Sequence, residues 1–190
     1  TAIREEDVRL VILDDRGLDG DHKIIPMAMA VGYLNQLLLS EKLRHRVNFV
    51  VVSGEVLDPH SACVLMGYGA TAIYPWLLYG TGYALCRRRE LSQRETRRAL
   101  KNIYEAMTKG ILKVMSKMGI STVSSYRNAA LFDIIGLDRQ VVEQCFPGTA
   151  LHLPGLGYTQ IEERLNRHHQ SIFKHTHMTP VYPVELGSRF

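Results

Sequence analysis

Apolar positions along the chain fall into short solid runs that alternate with longer stripes spaced at three and four residues. VRLVIL (8–13) and VNFVVV (47–52) are runs of the kind that strands buried on both faces of a parallel sheet require. Between them, Met27, Ala30, Val31, Leu34, Leu37 and Leu38 repeat at helical spacing behind Pro26, a residue suited to a first helical position. A short helix over His60–Met66 stops at Gly67, and ATAIY (70–74) reads as a third strand.

A long helix follows. Ser92 and Glu95 form the S-x-x-E capping box, in which each side chain satisfies a free amide of the other. Leu100, Ile103, Met107, Ile111 and Val114 then mark one apolar face as far as Met118, and Gly119 ends the helix. The spacing predicts ISTV (120–123) as a fourth strand, Tyr126–Ile135 as a helix closed by Gly136, and a further helix from an Asp138 cap to Phe146. Thr159 with Glu162 predicts another capping box, opening a polar helix to about His169. The last stretch, MTPVYPVELGSRF, holds two prolines and reads as extended.

Four alternations of strand and helix specify an α/β chain with parallel strands covered by helices. Four βα units are half of an eight-stranded barrel or a small open sheet, and pattern alone does not separate the two. The 190 residues, 46% hydrophobic and 22% charged, fit one domain or one piece of a larger one. The first residues, TAIREEDVRL, show no signal-peptide pattern and no initiator methionine, which is the expectation for an excised piece. No run reaches the ~18 apolar residues of a membrane span. Cys63, Cys86 and Cys145 are widely spaced and odd in number, so neither a disulfide framework nor a metal clip follows, and a cytoplasmic setting is expected.

Charge changes this picture in one place. CRRRELSQRETRRALK (86–101) holds seven Arg and Lys against two Glu, more than the whole net charge of +4. No aromatic residue is interleaved for base stacking, so a solvated helix face or a dock for an acidic neighbour is expected rather than a nucleic-acid groove.

The candidate chemistry is sparse. DDRGLDGDH offers Asp14, Asp15, Asp19 and Asp21 after the first strand, but Pro26 stands where a calcium loop starting at Asp15 needs its Glu, which leaves turn-forming aspartates. Ser53, Gly54, Gly67 and Gly69, in SGEVLDPH and MGYGA, form an alternative phosphate site for a ligand such as FMN, through loop amides and a helix N-terminus. His168, His169, His175 and His177 cluster without zinc spacing and read as an exposed polar tail, so no metal site is expected. In ILKVMSKMGIST (111–122), Lys113 and Lys117 are either phosphate contacts or cations complementing a helix C-terminus. With Lys109 they recur at four residues, which fits the second reading.

Three segments carry a resemblance. LDDRGLDGDHKIIPMAMAVGYLNQLLLSEKLRHRVNFVVVSGEVLDPHSACVLMGYGATAIYPW resembles the second half of the glutamate synthase central domain. KGILKVMSKMGISTVSSYRNAALFDIIGL is similar to that domain's closing motif, and CFPGTALHLPGLG to the segment after it. The likeness runs from about residue 8 to 170. It departs from the family at Tyr74-Pro75, at His152–Gly157, and at Asn128, where the family motif has glycine.

This resemblance implies a parent enzyme that makes two glutamates from glutamine and 2-oxoglutarate. Residues 1–172 would be the C-terminal half of its central domain, part of a rudimentary TIM barrel related to the FMN-binding barrel. Residues 173–190 would connect to the FMN-binding domain. FMN and an iron–sulfur cluster are implied for the full-length enzyme, and no cofactor or catalytic residue for this stretch. The implied partners are the glutaminase and FMN-binding domains of the same polypeptide, with a small subunit or ferredoxin beyond them, and neither nucleic acid nor membrane. Lys117 and Arg127, within the closing motif, become candidate contacts to a neighbouring domain.

Overall fold

The computed structural model describes residues 2–173. After a helical turn, α1 (Ala2–Glu5), three parallel strands form one sheet in the order β1 (Leu10–Asp14), β2 (Asn48–Val52) and β3 (Ala72–Tyr74). Leu10 lies opposite Asn48, and Val50 opposite Ala72. Two helices, α2 (Met27–Ser40) and α3 (Pro59–Gly67), make the crossovers. Parallel strands cannot be joined by a tight hairpin, so each needs such a crossover.

These crossovers build the main core. Phe49 and Val51 of β2 are fully buried against Met27, Val31 and Leu38 of α2 and Leu65 of α3. Asp58 caps α3 by accepting the Ser61 amide at 2.7 Å, with Pro59 in the first turn.

A helical pair, α4 (Trp76–Arg88) and α5 (Gln93–Lys117), follows β3. Both halves of the expected capping box form. Glu95 donates its backbone N–H to Ser92 Oγ, and the Ser92 amide donates to Glu95 Oε2 at 2.9 Å. The other end of α5 is a Schellman stop. Gly119 takes a left-handed φ of +69°, its amide bonds to Ser116 O at 3.1 Å, and the Ile120 amide bonds to Met115 O at 3.0 Å. ILKVMSKMGIST is therefore a helix end.

Beyond that stop the chain departs from the expectation. Residues 120–123 form no strand. Thr122 instead caps a single turn, α6 (Val123–Tyr126). Tyr126–Ile135 is not a helix either, because Asn128 and Ala130 sit at φ values of +64° and +48°, which no right-handed helix accommodates. The fourth strand is β4 (Asp133–Leu137), which α7 (Arg139–Cys145) connects to a parallel β5 (Ala150–Leu156). Asp138 caps α7 as the pattern predicts, accepting the Gln140 amide at 2.8 Å.

Strand β5 is hidden in the pattern by Pro154 and Gly155, residues that argue against a regular strand. The pairing tolerates them through register shifts on either side of Ile135. Gly155 also lies so close to the Gly136 backbone that an added Cβ would meet the Gly136 carbonyl oxygen at 2.5 Å. The last described helix, α8 (Tyr158–Phe173), begins one residue before Thr159, so Thr159 is not its cap. Gln160 Oε1 accepts the Gly157 amide at 3.1 Å instead.

The architecture is thus α/β, with parallel strands in two small sheets; among the described residues they close no barrel. Ile134 and Leu151 pack on the same core as β1–β3, so both sheets share one helical layer.

Asn128 shows how the irregular segment is held. Its left-handed backbone is one that Asn tolerates, and its side chain accepts from Asn35 Nδ2 at 2.8 Å. Asn128→Gly is expected to cost about 1 kcal/mol through the lost hydrogen bond, and Asn128→Ala about 2 kcal/mol because left-handed strain is added. Urea unfolding of the three proteins checks the order; an alanine variant as stable as the glycine one would refute it.

Candidate functional site

In parallel α/β folds, binding groups gather beyond the carboxyl ends of the strands. Here that end is organised by Asp15, the residue that follows β1 and is only 9% exposed. Its carboxylate accepts from Ser53 Oγ at 2.7 Å, from the Gly54 amide at 2.9 and 3.1 Å, and from Trp76 Nε1 at 2.6 Å. These three donors come from the loop after β2 and the start of α4, so one side chain ties the ends of all three strands. Ser53 is fully buried, and its own amide bonds to Tyr74 O at 3.1 Å.

A second carboxylate completes the arrangement. Glu55 Oε2 accepts the Met27 amide at 2.7 Å, at the N-terminus of α2, where negative charge is favoured. Above these groups lies a cleft of about 500 Å³, walled by Ile24, Leu57, Trp76 and Leu77 and by Leu165 and Ile172 of α8. Lys23 and His168 line it as well.

The four residues of the alternative phosphate site are not brought together. Ser53 and Gly54 lie at the carboxyl end of the sheet, where the Gly54 amide already serves Asp15. A phosphate there would meet a carboxylate at bonding distance. Gly67 and Gly69 lie at the opposite end, before β3. A Cβ on Gly67 would stand 2.3 Å from Phe132 Cε2, and one on Gly69 2.9 Å from Asn35 Oδ1, so both glycines are explained by close packing.

The amino end of the sheet is cationic. Arg44 donates to Asn35 Oδ1 at 2.6 Å, to Gly69 O at 2.8 Å and to Val47 O at 2.5 Å, with its guanidinium 4.3 Å from the centre of the Phe49 ring. Burial, and then the charge of Arg127, lower the Arg44 pKa. Arg127 follows α6 and donates to Thr71 Oγ1 at 3.3 Å. Lys117 is exposed at the C-terminus of α5.

Two other expectations change. His169 is not part of an exposed tail: it is 9% exposed, and Nε2 lies 2.7 Å from Asp19 O, fastening α8 to the loop after β1. His175 and His177 lie outside the described residues, as do residues 174–190 of the connector. The aspartates after β1 also differ among themselves. Asp19 does form a turn, accepting the Asp21 and His22 amides at 2.8 Å, whereas Asp15 points inward. The one sequence signal for Asp15 was its place immediately beyond an apolar run; nothing marked Trp76 or Glu55 as its neighbours.

The three cysteines are all buried, on α3, α4 and α7. Cys145 lies 3.6 Å from Tyr158 Oη. Burial, together with the adjacent Cys63 thiol, pushes the Tyr126 phenol up to about 12. Among the described residues, no three His, Cys, Asp or Glu side chains are placed to hold a metal ion. None of the helices described is long and apolar enough to cross a membrane.

Comparison with known proteins matches residues 1–138 to the family model described as glutamate synthase central domain. The glutamate synthase (NADPH) large chain of Bacillus subtilis is 38% identical over 185 residues, covering 96% of this chain and 12% of that protein. The glutamate synthase (NADH) of Schizosaccharomyces pombe is 38% identical over 162 residues, 85% of this chain and 8% of its own length. A ferredoxin-dependent glutamate synthase of Antithamnion is 34% identical over 167 residues, 82% of this chain and 11% of its own. The chain thus spans about a tenth of these relatives. With a family match that ends inside the β4–α7 region and takes in every strand of the first sheet, the chain belongs to the glutamate synthase central domain family.

Proposed function

We propose that residues 1–172 act as the C-terminal half of the central domain of a cytoplasmic glutamate synthase, joining its glutaminase and FMN-binding domains without catalysing a step. Residues 173–190 serve as the connector towards the flavin domain. The parent enzyme converts glutamine and 2-oxoglutarate into two glutamates. One observation carries this reading: the polar groups at the carboxyl ends of β1–β3, where an α/β enzyme holds its ligand, are bonded to one another through Asp15. A carboxylate engaged by one buried and two part-buried donors is a structural tie.

The described residues fit neither group that the family implies. The buried cysteines stand on three separate helices, and the best-placed loop amide serves a carboxylate. FMN and the iron–sulfur cluster are therefore assigned to other parts of the enzyme. The relatives named for NADPH, NADH and ferredoxin resemble this chain to similar degrees, so the choice of electron donor, and of a small subunit or ferredoxin as partner, is not written in this segment.

Lys117 and Arg127 serve as contacts to a neighbouring domain. In the complete polypeptide, Lys117→Glu with Arg127→Glu is expected to lower glutamine-dependent glutamate formation about tenfold, with flavin content unchanged, as reversal of two interface charges does. Loss of flavin with coupling intact would refute that role. The purified chain itself is expected to retain no flavin absorbance after mixing with FMN and desalting, and to show no turnover; stoichiometric flavin retention would overturn the reading.

A further inference from the structure

The tip of the α4–α5 pair carries charge that the rest of the fold does not use. Arg87, Arg88 and Arg89 end α4, and Arg94, Arg97, Arg98 and Lys101 open α5; all seven are exposed. The inward side of the tip is formed by Cys86 and Thr96, both buried. Farther along the pair, Gly82 of α4 lets Ile103 of α5 approach so closely that a Cβ there would meet its Cδ1 at 2.6 Å.

The α5 cations recur at three, four and seven residues, so they form one stripe on one face. Arg94 and Arg98, and Arg97 and Lys101, are like-charge pairs at four residues, an arrangement that destabilises a helix. Their position in the first turns of α5 also opposes the helix dipole, which favours anions there. The nearby carboxylates do not relieve the three arginines of the stripe. Glu95 is held by Ser92 in the capping box, and Lys101 pairs with Glu105 at 3.6 Å. Among the described residues, no ion pair involves the six arginines of the tip.

A stripe that works against its own helix is matched to charge outside the molecule. We infer that the α4–α5 tip is a docking surface for an acidic protein partner presenting several carboxylates within about 10 Å, the length of the stripe at 1.5 Å per residue. Arginine suits this role because its planar fork binds a carboxylate through two parallel hydrogen bonds. A nucleic acid fits less well: residues 86–101 hold no aromatic side chain on which a base could stack.

The test uses the purified 190-residue chain and a labelled poly-glutamate peptide, followed by fluorescence anisotropy at low and at moderate salt. Binding should weaken with salt, and about tenfold in R94Q/R97Q/R98Q. The charge-matched control K109Q/K113Q/R167Q should stay within about twofold. The arginine variant should also melt about 2 °C higher at low salt, because the repulsion within the stripe is gone. Equal loss of binding in both variants would reduce the effect to net charge and overturn the inference. A lower melting temperature for R94Q/R97Q/R98Q, or tighter binding to single-stranded DNA than to the peptide, would overturn it as well.

Discussion

Replacing Asp15 by alanine is expected to lower the melting temperature by about 6–12 °C, equivalent to a loss of about 3 kcal/mol. The substitution removes the acceptor of Ser53 Oγ, the Gly54 amide and Trp76 Nε1 at once. Ser53 is fully buried, so water cannot replace the lost partner there. A buried donor left unsatisfied costs about 1–3 kcal/mol, and hydrogen bonds to a charged acceptor lie at the upper end of their range. Asp15→Asn keeps the shape and one acceptor oxygen, and should recover part of the loss. Scanning calorimetry measures the effect. Trp76 is the single tryptophan, so a change in its emission reports directly on the loss of the indole's acceptor. An alanine variant that melts with the parent would remove Asp15 from its place as the tie of the sheet.

The second large effect is expected at Gly32. This residue lies in the middle of α2, where glycine is unfavourable by helix propensity. Packing explains it: an added Cβ would stand 2.1 Å from the Cys145 carbonyl oxygen and 3.3 Å from Phe146 Cδ1. The nearest obstacle is backbone, which cannot rotate away, so α2 and α7 would have to separate. Both helices line the main core, with Val31 and Leu38 on one side and Val142 and Phe146 on the other. Gly32→Ala should therefore destabilise by about 3 kcal/mol, the upper part of the range for overpacking. Gly20→Ala serves as the control. Nothing lies within 4 Å of a Cβ at that position, and its change should stay within about 0.5 kcal/mol. Denaturant midpoints of the two variants decide the matter; a tolerated Gly32→Ala would mean that α2 and α7 are not in the contact described.

Legibility followed locality. Helix α5 was readable from end to end because its signals are its own: Ser92 with Glu95 at the start, a stripe at helical spacing, and Gly119 at the stop. The strands β1 and β2 are readable because each is a solid apolar run, although only β2 is well buried: Leu10 and Ile12 of β1 are 53% and 58% exposed, so the expected burial of that strand on both faces does not hold. The segment from Ile120 to Ile135 folds otherwise than its pattern suggests because its apolar content does not distinguish strand from helix over so few residues, and Pro154 and Gly155 hide β5, whereas the Asp138 cap of α7 between them is legible. What decided it were backbone states at Asn128 and Ala130 and the close approach of Gly136 to Gly155, which depend on partners far along the chain.

The same division holds for the candidate site and for the protein as a whole. By itself the sequence determined the class, α/β with parallel strands, the ends of the long helix, the location of the excess charge and the likeness to the glutamate synthase central domain. All of these are written in periodicity, caps or motif residues close together in the chain. Only the tertiary structure decided that Asp15 turns inward, that Ser53 and Gly54 lie at the end of the sheet away from Gly67 and Gly69, and that His169 fastens α8. Each of these is settled by which donor meets which acceptor at sequence separations of 38 to 150 or by which backbones touch, and spacing along a sequence carries no record of either.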